Sequence, residues 1–168
     1  MIVHNVLESW ILFQRAKGAE ALHLLKNAEL QLKVTDDHVS MGNIYSFRAR
    51  MARREGRPED ALALWEQAVA AYKRLPVRCH HPNMARALSN MAHVELLKAH
   101  DLQREADKIR ASTYEGRQGK ARSAMEQERH DLIKQAEELR KRALKQLDIA
   151  EGIYSRVGNR RGLGTCLL

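Results

Sequence analysis

Five arginines, Arg48, Arg50, Arg53, Arg54 and Arg57, fall within ten positions of this chain. A guanidinium is planar and always charged, and its forked donors fit two oxygens of a carboxylate or phosphate at once. Such a cluster suits recognition of an anion. The plainer alternative is a solvated stripe, balanced by neighbours such as Glu55 and Glu59. Cys79-His80-His81 offers thiolate and imidazole, both good zinc ligands, but a structural zinc site requires four ligands with supporting spacing. No second cluster exists, and the tripeptide lies between Pro76 and Pro82, so a connecting loop is expected there and no metal. The chain carries no phosphate-cradling glycine loop, no His-Glu-x-x-His and no nucleophile elbow. Its carboxylates are spread along polar faces. The expected role is therefore binding, with no enzymatic activity and no cofactor.

The elements that must position these arginines are helices. Runs of Val, Ile, Thr and aromatic residues of the kind a sheet requires are missing from the 168 residues, so the expected fold class is all-α in a single domain. Three prolines, Pro58, Pro76 and Pro82, each adjoin a proposed helix boundary, where the missing N–H and fixed φ of proline are tolerated. No stretch approaches the roughly 18 apolar residues of a membrane span. Two cysteines make no disulfide framework, which fits a reducing cytoplasm.

The helical pattern repeats. Tyr45, Ala49 and Ala52 lead to a break at Gly56-Arg57-Pro58, followed by Ala61, Leu62, Trp65, Ala68 and Tyr72. This segment resembles a tetratricopeptide repeat: Tyr45, Ala49, Gly56, Ala61, Trp65 and Ala68 occupy the signature places, while Arg48 stands where the family prefers leucine. Small residues at Ala49, Ala61 and Ala68 let helix axes cross closely, and Trp65 fills the core beside them. A weaker upstream copy turns at Ala16 and continues through Ala21, Leu25 and Ala28. A downstream copy opens at Ala87 to Ala92, and Ala21, Ala61 and Ala136 take the same place in successive second helices. The steps from Ala21 to Ala61 and from Ala49 to Ala92 are 40 and 43 residues, longer than the common period of about 34. They are similar to the long repeats of kinesin-light-chain-like proteins and bacterial regulators. The resemblance implies an α-solenoid of antiparallel helix pairs, with units near 2–38, 40–76 and 83–157 and a further one starting at 160–168.

The third unit departs from the pattern. Apolar residues continue at helical spacing through Leu102, Ala106 and Ile109, then through Met125, Leu132, Ala136, Leu139, Ala143, Leu147, Ala150 and Tyr154. The strong break between them is Glu115-Gly116-Arg117-Gln118-Gly119. This predicts a third pair elongated into a long helical hairpin, with Ile109 opposite Met125, Ala92 opposite Ala143 and Leu88 opposite Leu147. Its second helix, near 120–157, would be about 57 Å long at 1.5 Å per residue. After Gly158-Asn159-Arg160-Arg161, which caps that helix, the chain reads as the start of another first helix. Its apolar end, Leu163 to Leu168, and the hairpin are expected to promote self-association.

In the tetratricopeptide family the first helices of successive repeats line a concave groove. Counting Gly42 as the first repeat position, the resemblance directs Asn43, Ser46, Arg50, Arg53 and Arg54 into that groove, with Arg86, Ser89, Asn90 and His93 from the next first helix. Trp10 and Phe13 belong either to the core or to a surface facing the groove or a partner. The implied function is a protein-interaction scaffold holding an acidic or extended partner segment. The formal charge of +8 keeps nucleic acid open as the alternative partner, although aromatics for base stacking are scarce.

Overall fold

A computed structural model describes residues 2–15, 17–76, 81–114 and 120–166, and among them every regular element is a helix and no strand occurs. The order is α1 (Ile2–Gln14), α2 (Gly18–Leu32), α3 (His38–Arg54), α4 (Pro58–Lys73), α5 (Pro82–Tyr114), α6 (Lys120–Arg156) and α7 (Arg160–Gly164). None is long and apolar enough to cross a membrane among the described residues. The expected turns at Ala16 and at Glu115–Gly119, and the residues Cys79, His80, Leu167 and Leu168, lie outside the described residues.

Local chemistry sets the boundaries. Asp37 caps α3 by accepting a hydrogen bond from the Ser40 amide at 2.9 Å, and Asn159 caps α7 from the Gly162 amide at 2.9 Å. Pro58 opens α4 and Pro82 opens α5, where the absent N–H costs no helical hydrogen bond. Gly56 and Gly158 end α3 and α6 with φ of 76° and 66°, a conformation in which a Cβ is strained.

Consecutive helices pack on one another from α1 to α7. The odd-numbered helices also meet. Phe47 of α3 lies against Trp10 and Phe13 of α1 at 5.2 and 5.5 Å between ring centroids, and Asn83 of α5 donates to Asn43 of α3 at 2.7 Å. One apolar core joins α1, α2 and α3 around Leu25, Leu32, Ile44 and Phe47. A second joins α3 to α6 around Trp65, Met91, Ile153 and Tyr154. Ala49, Ala61 and Ala68 are fully buried in it, as their expected role at close crossings requires.

Arg48, which stands where a tetratricopeptide-like pattern would place leucine, pairs with Glu29 of α2. Its side chain is 23% exposed and that of Glu29 15%, so the pair places a largely buried ionic contact between α2 and α3.

The two long helices, α5 with 33 residues and α6 with 37, run antiparallel. Arg142 lies 3.6 Å from Glu95, and Arg140 donates to Gln103 at 3.4 Å. Ala85, Ala92, Ala99 and Ala106 on α5, and Ala136, Ala143 and Ala150 on α6, recur every seventh residue and are fully buried. A seven-residue step keeps a side chain on nearly the same helix face, and the absence of bulk there lets the helices approach closely. The mostly polar remainder of both helices stays outside.

Two expectations need correction. Tyr154 lies as far beyond Ala143 as Tyr72 lies beyond Ala61, and both tyrosine rings press on a glycine of a neighbouring first helix, Gly162 and Gly42 respectively. Ala143, not Ala136, is therefore the counterpart of Ala61. The reason is that the extra residues of α6 precede the repeat-like half, which ends the helix. Nor is the described part of the segment after α6 bare: Leu163 and Cys166 are partly buried against the core, and Gly162 is buried against Tyr154, while Leu167 and Leu168 lie outside the described residues.

Candidate functional site

The face of α3 that carries Arg50, Arg53 and Arg54 turns toward α1 on one side and α5 on the other. Arg50 stacks over Trp10 at 4.8 Å and over Phe47 at 5.3 Å, and Arg54 lies over Phe13 at 5.2 Å. Trp10 keeps 39% of its surface exposed. It thus belongs to this wall and stiffens it, since a guanidinium over an aromatic face is held by the ring quadrupole while its edge donors stay free. Arg50 is half-buried and its Nε is buried with no partner. Burial, reinforced by repulsion from Arg86 and Arg53, brings its pKa down to about 10, leaving it charged at neutral pH.

Beyond Arg50, a cavity of about 400 Å³ opens between α3, α5 and the segment around α7. Arg53 contributes from α3, Arg86, Asn90 and His93 from α5, and Asn159 and Arg161 from the α7 segment. No carboxylate lines it, and among the described residues no ion pair to Arg53, Arg86 or Arg161 is found. Three other cavities each include at least one carboxylate: Asp37 in one, Glu59, Asp101 and Glu138 in another, and Glu66 in the third. Near Glu59, Lys98 is neutralised at 2.6 Å. Cations gathered without acids raise the local potential and favour an anionic ligand.

The chain matches no protein-family model, no curated protein and no solved structure.

Of the residues expected in the groove, Arg53, Arg86, Ser89, Asn90 and His93 share this cavity, and Arg50 lies close enough to Arg86 and Arg53 to feel their charges. Arg54 is directed to α1. Asn43 differs most from its expected role: its Oδ1 accepts from Tyr72 at 2.8 Å and from Asn83 at 2.7 Å. It ties α3 to α4 and α5. Asn90 likewise anchors locally, donating to the Arg86 carbonyl at 2.9 Å. Sequence reasoning missed Asn159 and Arg161, because Gly158-Asn159-Arg160-Arg161 was read only as a cap. The signal available was the basic pair Arg160-Arg161 at the opening of a helix.

His81, the described member of the Cys-His-His tripeptide, stacks on Tyr72 with ring centroids 5.4 Å apart and accepts from the Asn83 amide at 3.2 Å. Burial and the nearby Arg86 lower its pKa, so it packs as a neutral ring. No group of three His, Cys, Asp or Glu able to hold a metal gathers among the described residues.

Proposed function

We propose that this chain is a protein-interaction module, a tetratricopeptide-like α-solenoid whose odd-numbered helices form a basic groove for an acidic, extended segment of a partner. The observation that carries the proposal is the cavity beside α3 and α5, which collects Arg53, Arg86 and Arg161 with no carboxylate among its lining residues. Bringing like charges together costs free energy in the empty protein, and an anionic ligand offsets that cost. The Arg50–Trp10 stack extends the same wall toward α1, where the exposed part of Trp10 offers an apolar contact beside the charged one. Packing of each helix on the next, with buried alanines at the crossings, supports the solenoid part of the proposal. The cysteine usage supports a cytoplasmic setting.

The test is fluorescence anisotropy with a labelled Glu- and Asp-rich peptide, run beside labelled single-stranded RNA and duplex DNA over a range of salt concentrations. Peptide binding should weaken at least tenfold in a variant carrying Arg53→Glu and Arg86→Glu. Tight nucleic-acid binding with a steep salt dependence, together with no peptide binding, would overturn the proposal in favour of a polyanion-backbone binder.

A further inference from the structure

We infer that the cavity between α3, α5 and α7 takes a compact group with at least two negative charges, a phosphate or two adjacent carboxylates, and that this group closes α7 by bridging Arg161 to Arg53 and Arg86. The inference rests on the anion-groove proposal above and adds the ligand's chemistry and its mechanical consequence.

The α7 segment supplies one wall of the cavity through Asn159, Arg161, Gly162 and Thr165. Without that wall the site is incomplete. The charges on the two sides have the same sign: Arg53 and Arg86 on α3 and α5, Arg161 on α7. Arg53, Arg86 and Arg161 all line one cavity of about 400 Å³, and like charges facing the same cavity from both walls work against the docked position of α7. A singly charged anion can neutralise only one of them. A phosphate or a pair of carboxylates presents enough oxygens and charge to engage both walls with forked hydrogen bonds.

The other attachments of α7 are small. Gly162 packs on the Tyr154 ring, Leu163 and Cys166 join the edge of the core, and the Cys166 Sγ lies 3.7 Å from the Ser89 Oγ of α5. The side-chain oxygens of Asn159 and Thr165 bond to Gly162 within the segment, and its hydrogen bonds to α6 are that of the Asn159 amide to the Tyr154 carbonyl at 2.9 Å and that between Thr165 and the Tyr154 hydroxyl. A five-residue helix held by so few contacts is poised for its docking to respond to charge. Docking also holds the Cys166 thiol against α5, which makes that thiol a reporter of the closed position.

The experiment follows the rate of Cys166 modification by N-ethylmaleimide, a neutral reagent, in the full chain carrying Cys79→Ser. Inorganic pyrophosphate, a phosphoserine peptide and a peptide with adjacent glutamates are added in turn, at ionic strength matched with chloride. At least one should slow modification about fivefold or more, and the comparison separates a phosphate source from a carboxylate source. Arg161→Glu should slow modification without any anion, because the new carboxylate itself pairs with Arg53 and Arg86, and should abolish the response to added anion. Arg161→Gln should remove the response to added anion and, by relieving the repulsion alone, slow modification less than Arg161→Glu does. If peptide binds by anisotropy but no anion changes the thiol rate, the bridging inference fails while the groove proposal stands; if none of the anions binds, both fail.

Discussion

The ring of Tyr72 presses on the α-carbon of Gly42: a Cβ placed there would lie 2.6 Å from Tyr72 Cε1. The same ring donates its hydroxyl to Asn43 at 2.8 Å and stacks on His81, so one side chain of α4 joins α3 to the start of α5. Tyr154 of α6 treats Gly162 of α7 in the same manner. Glycine is required at both places for closeness of approach, because neither has a positive φ.

Gly42→Ala should therefore destabilise the protein by about 1–3 kcal/mol, the usual cost of overpacking. Gly152, inside α6, has nothing within 4 Å of its virtual Cβ, and Gly152→Ala should stabilise by about 0.5–1 kcal/mol through helix propensity and a smaller unfolded-state entropy. Urea denaturation of both variants checks the pair. A Gly42→Ala protein as stable as the parent would show that the Tyr72 contact is slack.

Glu95 is 5% exposed and its Oε2 has no partner. Burial raises its pKa, against the opposing pull of Arg142 at 3.6 Å. A carboxyl group with a raised folded pKa binds protons more tightly in the native state. Its ionisation therefore costs stability, and the cost appears as pH rises from the unfolded value through the folded one. Glu95→Gln should accordingly match or exceed the parent at pH 7, by on the order of 1 kcal/mol, with the difference shrinking as pH falls toward the ordinary carboxylate range. Arg142→Gln should have the opposite sign at pH 7, because it leaves the carboxylate among α5 and α6 without its cation. Thermal unfolding from pH 4 to pH 8 measures both slopes.

Arg50 combines a buried, unpartnered Nε with two aromatic stacks. Arg50→Met keeps the length and apolar packing while removing the desolvated charge, and should raise stability by about 1 kcal/mol. It should also weaken acidic-peptide binding severalfold. Arg50→Lys should lose stacking and fork together and bind no better than the methionine variant. Denaturation and anisotropy on the same preparations would sink this prediction if Arg50→Met lowered stability and left binding intact.

The Arg48–Glu29 pair joins α3 to α2 at a site where both side chains are largely buried, and Tyr45 also donates to Glu29 at 3.4 Å. A double-mutant cycle of Arg48→Ala and Glu29→Ala should return a coupling of about 1–2 kcal/mol. Changing Arg48 to leucine alone should destabilise despite matching the family preference, because Glu29 then lacks its cation. A coupling near zero would mean that the pair behaves like an exposed one.

Much of the helix map was legible because its causes are local. Pro58 and Pro82 start helices, Gly56 and Gly158 end them, and sustained apolar spacing over residues 120–157 anticipated α6 at Lys120–Arg156. Ala49, Ala61, Ala68 and Trp65 were recognisable as core because small and large residues at those spacings must interleave wherever helices cross, and all four are fully buried. The assignment of Ala136 failed because helical spacing is the same along all of α6, and only the contact of Tyr154 with Gly162 shows which turn matches that of Ala61, Tyr72 and Gly42.

The sequence by itself determined that this chain is helical, where most of its helices begin and end, and that its arginines concentrate on α3. Tertiary structure alone decided which polar residues meet: Asn43 turned inward to Tyr72 and Asn83, Glu95 enclosed near Arg142, and Arg161 joined Arg53 and Arg86 across one cavity. Helix formation is governed by neighbours a few residues apart. Which side chains share a cavity depends on crossing angles and axial offsets between helices far apart in the chain, and those are set by how the whole core packs.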